Sequence, residues 1–257
     1  MKLVLMYFSP THSTKKIVAR IGKVFFEKLL CETKPVDLTK LAVRMCSCPF
    51  DKEDVLVFGA PVYAGRLPVC VSDYIKTLQG NGARAVAVSV YGNRDFDDAL
   101  LETCDLLTER GFTVCAAGAF IGEHSYTSAV GTGRPDTDDL LAADAFAIAA
   151  YEKVASGIAV RKKIPGNFPY KPLPQAGPKA MPAVDFSKCV HCDTCISVCP
   201  VCNIAADLSD LGRCIGCAAC VRFCPQSARS FKDEGIARVA KKLEETCSQR
   251  RSPKFFL

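Results

Sequence analysis

The sequence predicts an α/β chain: a doubly wound parallel sheet of about five strands, followed by a smaller C-terminal domain. Three observations predict it. Apolar runs of strand length alternate with amphipathic helical stretches through the first 164 residues. Six prolines then crowd into the next eighteen residues, and beyond them one cysteine pattern occurs twice, at an offset of 25 residues.

Residues 3–8, 55–59, 85–91 and 112–119 are near-continuous apolar runs, the pattern of strands buried on both faces. A weaker strand falls at 33–38. After the first run, Ile17, Val18, Ile21, Val24, Phe25 and Leu29 recur at helical spacing, and similar stripes lie in 67–78, 96–109 and 136–156. Right-handed crossovers between parallel strands put these helices on both faces of the sheet. A ligand crevice is then expected at the carboxyl ends of the strands. Pro165, Pro169, Pro172, Pro174, Pro178 and Pro182 lack amide donors and fix φ, so this stretch forms neither helix nor central strand. The expected domains are therefore 1–164 and 184–257, joined by a linker at 165–183. Residues 234–248 set Ile236, Val239, Ala240 and Leu243 on one side and charges elsewhere, as a surface helix does.

With 49% apolar and 23% charged residues in 257, the chain buries a core and is not disordered. The first apolar run meets Ser9 and Pro10 with no small-residue cleavage site, and Asp144 interrupts the longest later run, 140–151. No export signal or membrane span is expected, and the expected location is the cytoplasm. In a reducing interior, those of the sixteen cysteines that cluster are read as metal ligands rather than disulfides. The net charge of +6 is unevenly placed. Residues 161–179 hold five basic and no acidic groups, and 229–257 hold eight basic and four acidic, leaving −3 on the remainder. A basic linker and tail fit docking to an acidic protein partner or weak non-specific anion binding. No nucleic-acid recognition module is visible.

The repeat is C-x2-C-x2-C-x3-C-P, given by Cys189, Cys192, Cys195, Cys199 and Pro200 and again by Cys214, Cys217, Cys220, Cys224 and Pro225. It resembles the bacterial two-cluster [4Fe-4S] ferredoxins over about fifty residues. The resemblance implies a small α+β ferredoxin-like domain in which the fourth cysteine of each unit ligates the other unit's cluster. Cys189, Cys192, Cys195 and Cys224 would hold one [4Fe-4S] cluster, and Cys214, Cys217, Cys220 and Cys199 the second. A zinc ribbon would need a longer gap between cysteine pairs. So small a domain has little apolar stock, and its clusters must supply folding energy. Of the other eight cysteines, Cys202 sits nearest the repeat.

The first strand runs into Ser9, Pro10, Thr11, His12, Ser13 and Thr14 and then into a helix. This resembles the phosphate loop of flavodoxins, [ST]-x-T-G-x-T, in which hydroxyls and amides at a helix N-terminus wrap the phosphate of FMN. His12 stands where the pattern has glycine, and histidine tolerates positive φ better than most residues. Further loops follow the third and fourth apolar runs, at Pro61, Val62, Tyr63 and Gly65 and at Tyr91, Gly92 and Asn93. By resemblance these are isoalloxazine loops, with Tyr63 and Tyr91 flanking the ring and Gly92 and Asn93 at its edge. His124, after the fifth strand, is read as structural or at the rim.

The whole chain looks like the flavodoxin and ferredoxin fusion proteins of anaerobes. The resemblance implies an electron-transfer protein that passes electrons between two [4Fe-4S] clusters and FMN and serves another redox protein. Two alternatives stay open: an FMN-dependent reductase with its own small-molecule substrate, and a docking module without FMN. An electron carrier is favoured over a reductase with its own substrate, and the sequence leaves open whether the chain is an enzyme.

Overall fold

The computed structural model describes residues 1–173 and 181–257. Five parallel strands, β1 (Lys2–Tyr7), β2 (Glu32–Asp37), β3 (Val55–Pro61), β4 (Arg84–Tyr91) and β5 (Thr113–Ile121), form a sheet in the order β2-β1-β3-β4-β5. That order is the flavodoxin-like doubly wound one, with its switch point between β1 and β3. β3, β4 and β5 are buried almost throughout, as their continuous apolar runs require. Helices α1 (Ser13–Leu29) and α5 (Thr137–Ser156) cover one face; Phe25 and Phe146 are buried there against Val57, Val88 and Phe120. Helices α2 (Leu41–Arg44), α3 (Val69–Lys76) and α4 (Ala99–Glu109) lie toward the other, where Phe58, Ile75, Leu100 and Leu107 share a core. No helix among the described residues is long and apolar enough to cross a membrane.

The C-terminal unit is built as the repeat is written. The short helices α6 (Thr194–Ser197) and α7 (Ala219–Arg222) each follow a residue in the left-handed region, Asp193 at φ 55° and Ala218 at φ 60°. His191 and Gly216, and Cys202 and Ser227, are matching pairs with positive φ, all at the same 25-residue offset as the cysteines. A two-stranded antiparallel ribbon of β6 (Ala183–Val184) and β7 (Arg229–Ser230) closes the unit.

Two expectations change. The last residues do not belong to the small unit alone. After α8 (Glu234–Thr246), strand β8 (Lys254–Phe256) returns to the large sheet and pairs antiparallel with β5. Phe255 and Phe256 drive this, the first meeting Phe120 and Phe146 with ring centroids 5.5 and 5.0 Å apart, the second meeting Phe96 at 6.4 Å. The cysteine unit is thus inserted ahead of a sixth strand of the first domain. The proline-rich stretch, moreover, is fastened where it is described. Asp98 accepts hydrogen bonds from the Asn167 and Lys171 amides, Tyr170 donates to Asp105, and the Arg66 guanidinium lies 4.7 Å from the Tyr170 ring centre. Pro174 and Pro178 lie outside the described residues.

Candidate functional site

Three loops at the carboxyl ends of β1, β3 and β4 form one side of a cavity of about 540 Å³. The turn from β1 into α1 needs a left-handed residue, and His12 supplies it at φ 69°. Ser9 is buried, and its Oγ accepts the Lys15 amide at 2.9 Å. Among the described residues, no hydrogen bond within the protein engages the hydroxyls of Thr11, Ser13 and Thr14 or their backbone amides. All three residues line the cavity. They leave donors at a helix N-terminus free for an anion.

Of the expected cofactor contacts, Ser9, Thr11, Ser13, Thr14, Pro61, Val62, Tyr63, Tyr91 and Gly92 line this cavity. His12, Gly65 and Asn93 are differently employed. The His12 ring lies tilted against Phe223 of the cysteine unit, with centroids 4.7 Å apart. Gly65, at φ 84°, serves the tight turn between Tyr63 and Arg66, where a Cβ would approach Asp97 Oδ2 to 2.5 Å. Asn93 is buried and spends its amide on the returning C-terminal segment: Nδ2 donates to the carbonyls of Cys247 and Gln249 at 2.7 and 2.9 Å, and Oδ1 accepts the Arg251 amide at 3.2 Å.

Apart from His124 at the rim, the opposite wall is not expected from the sequence. Glu123, His124 and Tyr126 contribute from the segment after β5, and Arg213, Cys214, Ile215 and Gly216 contribute from the cysteine unit. Gly92 lets His124 close in, since a Cβ there would stand 2.4 Å from its ring. Burial and the nearby Arg94 charge lower the His124 pKa to about 4, so the ring is neutral at physiological pH, and its Nδ1 accepts the Tyr126 amide at 3.1 Å. Tyr63 walls the cavity and is densely surrounded; burial, with Cys217 nearby, pushes its phenol well above its ordinary pKa. Burial raises Tyr126 too, with Cys214 and Cys217 adding to it. The two units meet elsewhere as well. Ile215 packs on the core of the large sheet, Arg222 pairs with Glu123, and Arg44 donates to the Pro200 carbonyl.

The eight cysteines of the repeat surround two small cavities. Cys189, Cys192, Cys195 and Cys224 line one, and Cys199, Cys214, Cys217 and Cys220 line the other. The fourth cysteine of each unit has crossed to the cavity of the other. Backbone amides point at the crossing sulfurs in matched fashion, Asn203 N to Cys199 Sγ at 3.2 Å and Ala228 N to Cys224 Sγ at 3.1 Å. Thiol exposure differs between the sets: Cys192 is exposed, whereas Cys217 and Cys220 are buried, and burial pushes both of these up to about 12. Among the described residues, no three His, Cys, Asp or Glu side chains converge as a single metal ion would require. Cys202 is exposed and lines neither cysteine cavity.

The family model of the 4Fe-4S binding domain matches residues 182–201 and 209–230. No curated protein matches the chain significantly. Among solved structures, a flavodoxin from the domain Archaea is similar at 17% identity and a TM-score of 0.43, over 60% of this chain and 99% of that one. Oxidised Flavodoxin 2 from Bacillus cereus is similar at 17% identity and a TM-score of 0.44, over 60% and 99%. Rubredoxin oxygen:oxidoreductase from the anaerobe Desulfovibrio gigas is similar at 19% and 0.41, over 60% of this chain and 37% of that one. The 4Fe-4S binding domain gives the chain a redox role. Strand order and family match together describe a flavodoxin-like α/β domain joined to a 4Fe-4S binding domain, with a large cavity walled by both.

Proposed function

We propose that the chain is an electron-transfer protein that passes electrons between two [4Fe-4S] clusters and FMN and serves another redox protein. The observation that carries this reading is the shared wall: Cys214 lines both the large cavity and one of the two cysteine cavities. Iron–sulfur clusters supply single-electron steps, and FMN accepts one electron or two.

The residues fit these groups. A cavity of about 540 Å³ falls within the roughly 300–1,000 Å³ usual for cofactor sites. The unengaged amides and hydroxyls of Thr11, Ser13 and Thr14 would hold a terminal phosphate, and no G-x-G-x-x-G dinucleotide fingerprint lies there. Val62, Tyr63 and Tyr126 would give the ring its apolar walls, and Tyr63 and Tyr126, held as neutral phenols, add no charge to it. A cubane presents its irons at separate corners, and thiols spread around a cavity suit it. Cys189, Cys192, Cys195 and Cys224 would hold the outer cluster, and Cys199, Cys214, Cys217 and Cys220 the inner one, next to the flavin. With Cys192 and Val190 exposed, the outer cluster is the side a partner protein reaches.

A reductase with its own small substrate is the weaker reading, because residues 213–216 of the cysteine unit line the cavity and bring Cys214 to it. Cofactor analysis of protein purified and reconstituted without oxygen tests the proposal. About eight irons, eight acid-labile sulfides and one FMN per chain are expected from the ligand count. Iron near four, abundant zinc, or no flavin would overturn it.

A further inference from the structure

The offset of 25 residues that relates the two cysteine sets also pairs Ile204 with Arg229. The two residues hold equivalent places. Ile204 is a wall of the cavity lined by Cys199, Cys214, Cys217 and Cys220, where it packs with Leu208 in a small apolar cluster. Arg229 is a wall of the other cavity and is only 3% exposed. One cavity therefore carries a buried aliphatic side chain where its mate carries a buried cation.

The Arg229 guanidinium has no acidic partner among the described residues. Its Nη1 donates to the Pro182 carbonyl at 3.0 Å, and its Nη2 lies 3.4 Å from the Leu208 carbonyl and 3.6 Å from Cys195 Sγ. Residues 174–180 contain neither Asp nor Glu. Burying a guanidinium without an anion is costly, and two carbonyls do not neutralise it. The chemistry that does is a negatively charged group in the cavity, in contact with Cys195.

We propose that Arg229 is the fixed counter-charge of the cluster held by Cys189, Cys192, Cys195 and Cys224, so that this outer cluster takes up an electron before its pseudo-symmetric mate. The inference rests on the two-cluster reading above. Reduction adds one unit of negative charge to a cluster, and net charge and hydrogen bonds to the sulfurs are what set its potential. A buried positive charge at the wall favours the reduced form, and an aliphatic residue does not. Arg229 also lies near Cys220 of the other set. Its sulfur contact is with Cys195, however, and Coulomb attraction falls with distance, so the outer cluster gains more.

The test is a redox titration of the anaerobically reconstituted full chain, with dithionite as electron donor and the reduced clusters followed by electron paramagnetic resonance. Two waves are expected in the unaltered protein. Arg229→Met should shift one of them against reduction by about tenfold or more in equilibrium constant, which for a one-electron couple is about 59 mV per tenfold, and shift the other less. Arg229→Lys, which keeps the charge, should leave the waves separated. Unmoved waves in Arg229→Met with its iron intact would overturn the inference. So would a larger shift in the wave that Cys214→Ser perturbs, or merged waves in an iron-replete Arg229→Lys protein. If both variants lose iron, the inference also falls, because the residue is then needed to build the site. Low iron in the unaltered protein would instead count against the two-cluster reading.

Discussion

Asn93 separates what a loop position promises from what its side chain does. Its amide bonds the carbonyls of Cys247 and Gln249 and receives the Arg251 amide, while Arg134 Nη1 stands 3.3 Å from its Oδ1. Asn93→Ala would strand two carbonyls and a backbone amide, at about 1–3 kcal/mol for each one that water does not reach. The backbone there is left-handed, at φ 59°, and alanine bears that conformation less readily than asparagine, at roughly 1 kcal/mol. Gln249 and Arg251 are exposed, so water recovers part of the loss. A net destabilisation of about 3–5 kcal/mol is expected, a large share of the roughly 5–15 kcal/mol typical of a folded domain. Urea unfolding measures it. Hydrogen exchange at residues 247–256 should quicken, whereas the FMN dissociation constant of the apoprotein should stay within about threefold. A loss of flavin affinity beyond about tenfold, with the C-terminal segment still protected from exchange, would return Asn93 to the cofactor.

Replacing Thr11 and Thr14 together by Ala should weaken FMN by about 1–3 kcal/mol per lost hydrogen bond to the phosphate, measured by titration of apoprotein; unchanged affinity would put the phosphate elsewhere. Asp98 predicts an acid sensitivity. Burial pushes its pKa up, but the Lys171 and Asn167 hydrogen bonds outweigh that, and the folded pKa lies below the ordinary value. Its contribution is therefore complete above the unfolded pKa of about 3.9 and is lost as pH falls through the lower folded one. Hydrogen-exchange protection of the Asn167 and Lys171 amides, taken relative to the intrinsic exchange rate at each pH, should fall in acid in the unaltered protein and lose that fall in Asp98→Asn. Equal pH dependence in both would contradict the assignment.

Most of the large sheet is legible in the sequence, because β1, β3, β4 and β5 are buried on both faces and their hydrophobic runs are local signals. β8 is not. Its residues, Lys254–Phe256, are three in number and become a strand only because Phe255 and Phe256 find the Phe120, Phe146 and Phe96 rings more than a hundred residues away in sequence. The same distance hides the employment of Asn93, since nothing near it announces that its partners are the carbonyls of Cys247 and Gln249. The cysteine sets were readable because ligand spacing is itself local chemistry. The second wall of the large cavity was not, because the approach of Cys214 and Ile215 to Tyr63 depends on how two units meet. His12 shows an intermediate case: its residue type allowed the left-handed turn, but its ring is drawn to Phe223, which no local pattern indicates.

An inner cluster and a flavin that share the Cys214 wall exchange electrons within a single chain. Stopped-flow mixing of the fully loaded, oxidised protein with dithionite, followed at flavin wavelengths, tests it most directly. A chain that passes electrons across the Cys214 wall should show a flavin phase, following reduction of the clusters, whose rate does not change with protein concentration. A flavin phase whose rate rises in proportion to protein concentration would show transfer between molecules and contradict the account.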